Sequence, residues 1–315
     1  MRATLVPPVR RGYGRLVPQI DVVVVSYNSR DRLRACVESI SALPEVNVFV
    51  VDNASSDGCL ETIDDLPVTL LPQPDNGGFA RGCNAGWRAG RAEFVLLLNP
   101  DAMLDEPSLR TLLAVLEENP GAGAVAPKIL RPDGSFEYSL RRFPRLRSTF
   151  AQAMFVDRLL PRARWADEMV RDHSAYERAA TPEWVTGACI LLRRTALETL
   201  GGLDERFFLY CEDVDLCRRT WDAGYSVHYE PSAVAVHVGG ASAPRPTLFP
   251  ILAESRVAYA RKHRGRLAAR AERVGVALEA ATHMLVARGG RPSRSGHALA
   301  LRRIASTPTR TARSA

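Results

Sequence analysis

The chain has 315 residues, of which 46% are hydrophobic and 24% are charged, and it contains six cysteines. This length and apolar content suffice for one large hydrophobic core. The cysteines are scattered and show neither the spacing of zinc ligands nor that of a small disulfide-stapled domain. The net charge of +7 is uneven, because residues 241–315 carry fourteen arginines and one lysine against three glutamates, or +12.

The start of the chain shows no membrane or export signal. No apolar run approaches the roughly 18 residues needed to cross a bilayer. Residues 1–17 are interrupted by Pro7, Pro8 and Gly12, so they lack the continuous apolar segment of a signal peptide. We therefore expect an N-terminal tail over 1–17 and a protein that works in the reducing cytoplasm.

Two predicted strands come first, and each is followed by polar residues. The first, at 20–28, leads into a helical pattern over 32–42, and the second, at 48–58, breaks at Asp52 into turn-forming residues. Strands that alternate with helices are typical of a parallel sheet, which binds ligands beyond the carboxyl ends of its strands. Asp52 is thus a candidate for ligand binding, and the alternative is that it caps a turn or a helix.

A glycine-bearing loop and a further strand follow. The loop at 75–84 contains two consecutive glycines and Arg81 and runs into a helix. Glycine permits close backbone approach, and a helix N-terminus beside an arginine favours phosphate. The strand at 96–101 ends in Asp101, whose carboxylate could hold a divalent cation that neutralises a diphosphate. The alternative for Asp101 is again a turn or helix cap.

An acidic motif lies far downstream. Aromatic residues at 207–210 precede Glu212, Asp213 and Asp215, and the following arginines predict a helix. Acids at a helix N-terminus are stabilised by the helix dipole, so this motif could be structural alone.

Together these segments resemble the family 2 glycosyltransferases, which have a nucleotide-sugar-binding fold of the GT-A type. The resemblance spans about residues 18–240 and implies an α/β fold with a central, mostly parallel sheet flanked by helices. Within the family, the likeness is to bacterial rhamnosyltransferases and related cell-wall sugar transferases. The matching segments are 22–28, 50–58, 76–84, 96–101 and 210–216, and the narrower likeness depends on 76–82, 184–188 and 207–210.

The resemblance assigns a nucleotide-sugar and metal site to the strand ends. Asp52 would accept hydrogen bonds from the base or the ribose, and Asp101 would coordinate Mg²⁺ or Mn²⁺. Many relatives have the sequence Asp-x-Asp at this position, whereas the first residue here is Asn99, whose side-chain amide is uncharged. The other residues that would surround the nucleotide sugar are Ser26, Asn28, Asn76, Arg81, Asn84 and Asn99.

The resemblance also implies a catalytic base and an acceptor side. Asp213, with Glu212 as the second candidate, would deprotonate an acceptor hydroxyl that attacks the anomeric carbon with inversion, and Asp215 would be a helix-terminal charge. His237, at a strand end, is either a hydrogen-bonded core residue or a second metal ligand. The acceptor side would include Trp184, which either stacks on a sugar or packs in the core, together with Gly187 and Ala188.

These roles predict an inverting, metal-dependent transferase at the inner face of the cell membrane. Deoxythymidine-diphosphate rhamnose (dTDP-rhamnose) is the preferred donor and a polyprenyl-diphosphate-linked saccharide the preferred acceptor. The alternative donors are a uridine-diphosphate (UDP) hexose and UDP-galactofuranose. Two alternatives from other classes are a non-catalytic sugar-nucleotide sensor and a nucleic-acid-binding protein. Net charge is the main support for nucleic-acid binding, and we expect no nucleic-acid partner.

The basic charge belongs to the end of the chain. We predict a catalytic domain over 18–240, a linker and basic amphipathic helix over 241–288, and a disordered tail over 289–315. An apolar stripe on this helix either docks on the catalytic domain or binds an anionic membrane surface. An earlier basic cluster at 141–147 either faces a lipid diphosphate or forms a solvated loop. The stripe consists of Leu267, Ala271, Val274, Leu278, Ala281 and Leu285.

Overall fold

The computed structural model describes residues 19–43, 45–160, 163–239, 245–286 and 290–306, so the predicted tail over 1–17 lies outside the described residues. The strands are β1 (Ile20–Ser26), β2 (Val46–Asp52), β3 (Thr69–Pro72), β4 (Phe94–Leu98), β5 (Ala102–Leu104), β6 (Ala122–Leu130), β7 (Leu140–Arg141), β8 (Trp184–Val185), β9 (Cys189–Arg193) and β10 (Ser226–His237). The helices are α1 (Arg30–Ser41), α2 (Phe79–Ala89), α3 (Glu106–Glu118), α4 (Leu146–Ala153), α5 (Val156–Leu159), α6 (Arg194–Thr199), α7 (Glu212–Asp222), α8 (Arg245–Val286) and α9 (Gly290–Ser306).

Eight of the strands form one sheet in the order β3-β2-β1-β4-β9-β6-β10-β5. The pairs among β3, β2, β1 and β4 are parallel, as is the pair of β6 with β10. β9 is antiparallel to both β4 and β6, so β4 and β6 point the same way, and β5 is antiparallel to β10 at the edge. The mostly parallel sheet predicted from the sequence is confirmed.

The central strands are apolar throughout because both faces of the sheet are covered. Val22 and Val24 of β1 lie in one hydrophobic core, whereas Val23 and Val25 lie in the other. β4 divides in the same way, and every residue of β1 and β4 is buried. Burial on both faces explains why these strands read as continuous apolar runs rather than alternating ones.

The topology brings the carboxyl ends of β1, β2, β4 and β10 to one edge of the sheet. Ser26 and Asp52 are paired in register at the ends of β1 and β2. His237, the last residue of β10, pairs with Ala102, which directly follows Asp101. Residues that are 136 positions apart in the chain, Asp101 and His237, are therefore neighbours.

The first half of α8 is part of the catalytic core. Tyr259 is buried in the same hydrophobic core as β8 and α7, and the Ser255 hydroxyl donates to the Leu209 carbonyl at 2.9 Å. The helix is interrupted at Gly265, whose φ of +86° is a conformation that favours glycine. The predicted boundary at residue 240 thus separates elements that share one core.

Two predictions for the C-terminal segment are corrected by the structure. The described part of the predicted linker, from Arg245 onward, is helical, and α9 occupies part of the tail that was expected to be disordered. The arginine and serine content of this tail obscured an apolar face, because Ala300 and Ile304 are buried against Val276 of α8. Residues 307–315 lie outside the described residues.

The apolar stripe on α8 does not dock on the catalytic domain. Leu267, Val274 and Leu285 are 79%, 61% and 76% exposed. The opposite side of the helix is buried, with Glu272 accepting hydrogen bonds from Thr149 of α4 at 2.9 and 3.0 Å. Across the described residues, no helix combines the length and the apolar content that crossing a membrane requires.

Candidate active site

The ends of β1 and β2 form a tightly hydrogen-bonded turn. Asp52 is buried and accepts hydrogen bonds from the Ser55 hydroxyl at 2.5 Å and the Ser55 amide at 3.1 Å. Asn28, at a φ of +51°, donates its amide to the Ser55 hydroxyl and accepts from the Ser56 amide, both at 2.9 Å. Ser26 lies beside this turn, in register with Asp52. Asp52 therefore caps the turn, and its predicted contact with a nucleotide stays a prediction.

The glycine loop before α2 packs closely against the loop before α7. Gly78 has a φ of +88°, and a Cβ atom there would collide with the backbone of Phe208. The Asn76 side chain accepts a hydrogen bond from the Gly78 amide at 3.1 Å. Arg81 lies in the first turn of α2 and forms a partly exposed ion pair with Asp75 at 3.0 Å. Gly78 thus permits a close approach between two backbones.

The Asn84 side chain is fully engaged within the protein, and its predicted contact with a nucleotide stays a prediction. The side chain is 1% exposed and donates to the Leu203 carbonyl and to Glu205, both at 2.8 Å. The amide oxygen accepts from the Trp87 indole and the Leu203 amide, both at 2.9 Å. Because both donors and both acceptor positions are engaged, Asn84 joins α2 to the segment that precedes the acidic motif.

Asp101 and His237 meet at the sheet edge. The Asp101 carboxylate lies 3.3 Å from His237 Nε2, and Glu137 lies 3.3 Å from His237 Nδ1. Burial alone would lower the pKa of His237, but hydrogen bonds to the two carboxylates raise it to about 9. Burial would likewise raise the pKa of Asp101, but the hydrogen bond with His237 leaves it lowered. The Asn99 amide, at 3.5 Å from His237 Nε2, completes the group.

The residue types at this edge suit Mg²⁺ or Mn²⁺. A carboxylate oxygen and an imidazole nitrogen are suitable ligands, and such ions commonly take the rest of their ligands from substrate phosphates and water. In the described ranges, no three acidic, histidine or cysteine side chains form a group that could hold a metal ion. Asp101 and His237 therefore fit a site that a diphosphate would complete, and ion binding would displace the imidazole proton from His237.

Sequence reasoning missed Glu137. It lies between β6 and β7, outside any strand-end motif, and its carboxylate binds the His237 nitrogen that faces away from Asp101. No local pattern could have identified it, because its partner is 100 positions away in the chain.

The acidic motif opens α7. Asp213 accepts hydrogen bonds from the Val214 amide at 2.8 Å and the Gly187 amide at 3.2 Å. Burial raises the pKa of Asp213, and burial together with the Asp213 charge raises the pKa of Glu212 further. One carboxylate oxygen of Glu212 is buried without a hydrogen-bond partner in the described structure. The pair is thus held in a state that favours accepting a proton.

The turn between β8 and β9 links the end of β4 to the acidic motif. The Ala188 carbonyl accepts a hydrogen bond from the backbone amide of Asn99 at 2.9 Å, while the backbone amide of the neighbouring Gly187 donates to the Asp213 carboxylate. A Cβ atom on Gly187 would lie only 3.2 Å from the Asp213 Cβ. The strand-end Asn99 and the candidate base are therefore positioned by two consecutive residues.

Trp184 follows the core-packing alternative. Its side chain is 9% exposed, its indole donates to the Arg142 carbonyl at 2.9 Å, and the Arg141 guanidinium lies 5.7 Å from the ring centroid. The ring is therefore covered by protein and is not a free platform for a sugar.

Asp215 lies in the first turn of α7, as the sequence predicts, and it also belongs to a buried cluster of ion pairs. It is fully buried and pairs with Arg219 at 2.8 Å, with Lys262 at 2.6 Å and with His263 at 2.7 Å. Burial would raise the pKa of Asp215, but these partners leave it lowered. Because Lys262 and His263 belong to α8, this acid joins the acidic helix to the C-terminal segment.

Comparison with known proteins identifies the family. Residues 21–201 match the family model described as glycosyl transferase family 2. The N-acetylglucosaminyl-diphospho-decaprenol L-rhamnosyltransferase of Mycobacterium tuberculosis strain H37Rv is 35% identical over 234 residues, which cover 69% of this chain and 75% of that protein. Rhamnosyltransferase WbbL of Escherichia coli K12 is 24% identical over 238 residues, which cover 69% and 82%.

A solved structure shares the fold. The mannosyltransferase PcManGT from Pyrobaculum calidifontis, in complex with GDP-Man and Mn²⁺, superposes with a TM-score of 0.54 at 18% identity. The match covers 92% of this chain and 86% of that one. The GT-A fold predicted from the sequence is confirmed.

Proposed function

The chain belongs to glycosyl transferase family 2, and from that membership we propose that it moves L-rhamnose from a nucleoside-diphosphate donor to a polyprenyl-diphosphate-linked saccharide, with inversion. Two relatives are rhamnosyltransferases, and the name of the more similar one includes a diphospho-decaprenol acceptor. Deoxythymidine diphosphate is the preferred nucleotide of the donor.

One observation carries the proposal. The pair Asp101–His237 and the acid Asp213 lie at the same edge of the sheet, joined through the turn at Gly187 and Ala188. This is the arrangement that transfer from a diphosphate requires, with an anion-neutralising side and a proton-accepting side next to each other.

The residues then have distinct tasks. Asp213 accepts the proton of the acceptor hydroxyl as its oxygen attacks the anomeric carbon, and burial raises the proton affinity of Asp213. Asp101 and His237 would hold Mg²⁺ or Mn²⁺, which when bound supplies positive charge to the departing nucleoside diphosphate. The remaining candidates for contact with the donor are Ser26, Asn28, Asp52, Asn76, Arg81, Asn84 and Asn99.

The test is a panel of nucleotide sugars measured with and without Mg²⁺ or Mn²⁺. We expect dTDP-rhamnose to raise the melting temperature and to be consumed when N-acetylglucosamine linked through diphosphate to a short polyprenol is added. Transfer from UDP-hexose or UDP-galactofuranose alone would establish the alternative donor. Stabilisation by a nucleotide sugar without transfer would indicate a sensor, and salt-sensitive binding of polynucleotides would favour a nucleic-acid-binding protein.

We also propose that the protein attaches to the inner face of the cell membrane through α8. Leu267, Val274 and Leu285 form an exposed apolar stripe, and Arg266 and Arg270 beside it are exposed as well. An apolar helix face flanked by arginines suits an anionic lipid surface, because the binding free energies from apolar burial and from charge attraction add. A lipid-linked acceptor would be met at such a surface.

Changing the stripe should weaken membrane binding. Replacing Leu267, Val274 and Leu285 by serine should lower affinity for vesicles of anionic phospholipid about tenfold or more, because each buried methylene contributes about 0.8 kcal/mol. Replacing Arg266 and Arg270 by glutamine should remove part of the salt dependence.

The matched control is Arg34→Gln with Arg110→Gln, which removes two exposed charges from the catalytic domain. Co-sedimentation with anionic and with zwitterionic vesicles is the measurement. Equal binding by the stripe variant and the unchanged protein would show that α8 is not the attachment element.

A further inference from the structure

The short sheet of β7 and β8 has one apolar face and a second face that carries polar side chains together with the buried Trp184. Leu140 pairs with Val185, and both are buried in the hydrophobic core that contains α7. Successive side chains of a strand point to opposite faces, so the neighbours of this pair lie on the other face. That second face is not used by the tasks assigned above.

The second face carries four side chains. Arg141 pairs with Trp184 in register, and the Thr186 amide donates to the Ser139 carbonyl at 3.1 Å, so these two residues are also opposite each other. Directly opposite side chains on one face are close enough to contact the same ligand. Thr186 and Arg141 are partly exposed, whereas Ser139 is buried.

Polar atoms on this face lack partners. The hydroxyls of Ser139 and Thr186 and the Nε of Arg141 are buried, and none has a hydrogen-bond partner in the described part of the chain. The same holds for one carboxylate oxygen of Glu212, which begins the adjoining α7. Buried polar atoms are normally satisfied, so several such atoms on adjoining elements point to a ligand that completes them.

Arg141 differs from its neighbours in the basic cluster at 141–147. Arg142 donates to two backbone carbonyls at 3.3 and 3.2 Å, and Arg145 pairs with Glu183 at 3.2 Å. The positive charge of Arg141 acts on the candidate base, where it opposes the burial that raises the pKa of Asp213. The Arg141 guanidinium lies over the Trp184 ring, 5.7 Å from its centroid, on the strand that leads to Thr186 and Gly187.

We propose that this face is the acceptor subsite. The hydroxyls of Ser139 and Thr186 bind hydroxyls of the acceptor sugar, since each can donate and accept. Arg141 binds the phosphate on the anomeric oxygen of that sugar, because a guanidinium recognises phosphate through charge-assisted, geometrically fixed hydrogen bonds. Gly187, next to Thr186, donates to Asp213, so a sugar on this face has a hydroxyl near the base. This inference rests on the proposed function, and it identifies the residues that select a sugar linked to diphosphate.

The experiment compares two acceptors that differ only in phosphate. One is N-acetylglucosamine linked through diphosphate to a short polyprenol, and the other is the alkyl glycoside of the same sugar. Arg141→Gln should raise the KM of the diphosphate acceptor at least tenfold and leave the KM values of the alkyl glycoside and the nucleotide sugar unchanged. The control is Arg147→Gln, which removes an exposed arginine from the same cluster and should change none of these values.

A second variant controls for loss of activity through misfolding. Thr186→Val replaces a hydroxyl that has no partner by a methyl group of similar size, so the melting temperature should stay the same or rise. The KM values of both acceptors should nevertheless rise several-fold, because the sugar loses a hydrogen bond. A merely structural role for this hydroxyl predicts a lower melting temperature and unchanged KM values.

The outcomes separate this inference from the proposed function. If the unchanged protein transfers to the diphosphate acceptor but Arg141→Gln is normal, or weakens both acceptors equally, or weakens the donor instead, the subsite assignment is overturned and the proposed function stands. If the unchanged protein has the same KM for the alkyl glycoside and for the diphosphate acceptor, the phosphate contributes nothing to binding and the inference fails. If it transfers to neither acceptor from any donor, the proposed function fails.

Discussion

Asp213→Asn should slow sugar transfer by about 10²- to 10⁴-fold while donor binding survives, because that is the usual contribution of a positioned general base. The amide has the size of the carboxylate and can still accept a hydrogen bond from the Gly187 amide, which lies 3.2 Å from Asp213 in the protein. It cannot take the proton of the acceptor hydroxyl at neutral pH. The measurement is the transfer rate together with the affinity for the nucleotide sugar.

Two other acids on α7 separate chemistry from structure. Asp222→Asn changes an exposed acid that pairs with Arg218, so it should leave both rate and stability nearly unchanged. Asp215→Asn leaves Lys262 and Arg219 without their buried partner and should lower stability by about 3 kcal/mol. Its effect on transfer at temperatures where it remains folded should be small. A selective collapse of transfer in a stable Asp215→Asn variant, or near-normal transfer by Asp213→Asn, would contradict the assignment of the base.

The pH profile of the same reaction gives a further check on Asp213. Burial raises the pKa of Asp213, and burial with the neighbouring charge raises that of Glu212. A base must be unprotonated to act, so activity should fall as the pH is lowered, at values above the ordinary range of an aspartate. Glu212→Gln keeps a neutral side chain of the same size beside Asp213 and should leave this fall in place, because burial rather than the Glu212 charge raises the pKa of Asp213. A profile without an acidic fall, or one in which Glu212→Gln abolishes the fall, is not compatible with Asp213 as the base.

The sheet edge could be predicted from the sequence because its determinants are local. β1 and β4 are apolar throughout since both faces are buried, and the chain turns polar where each strand leaves the core. Parallel strands bring such ends together, so Asp52 and Asp101 could be placed at one edge without coordinates.

Partners distant in the sequence could not be predicted. Asn84 looked like a phosphate-loop residue until its partners Leu203 and Glu205, about 120 positions away, occupied all its hydrogen-bonding positions. Asp215 looked like a dipole-stabilised charge because its partners Lys262 and His263 lie on a helix that the sequence assigned to an appendage. In both cases the residue type fits a local role, and the distant partners have no signal in the neighbouring sequence.

Asp101→Asn should weaken metal-dependent binding of the donor on the order of 100-fold, since even outer groups around a metal site change its affinity by 10- to 100-fold. The change exchanges an anionic oxygen for a neutral one of the same size, so the backbone hydrogen bond from Val238 to the Asp101 carbonyl is retained. His237 would still pair with Glu137, at 3.3 Å, which limits the loss of stability. The measurement is the rise in melting temperature that dTDP-rhamnose causes as Mn²⁺ or Mg²⁺ is added, together with metal-dependent turnover.

Asn99→Asp provides the matched change in the opposite direction. It restores the acidic residue that many relatives have at this position, close to His237, so it should lower the Mn²⁺ concentration needed for half-maximal turnover. Asp64→Asn, an exposed acid of the catalytic domain, should change neither value. If Asp101→Asn keeps its metal-dependent turnover, or if Asn99→Asp leaves the metal requirement where it was, the divalent ion is not held by the end of β4. The positive charge for the departing diphosphate would then have to come from side chains such as Arg81, whose ion pair with Asp75 is exposed enough to open toward a ligand.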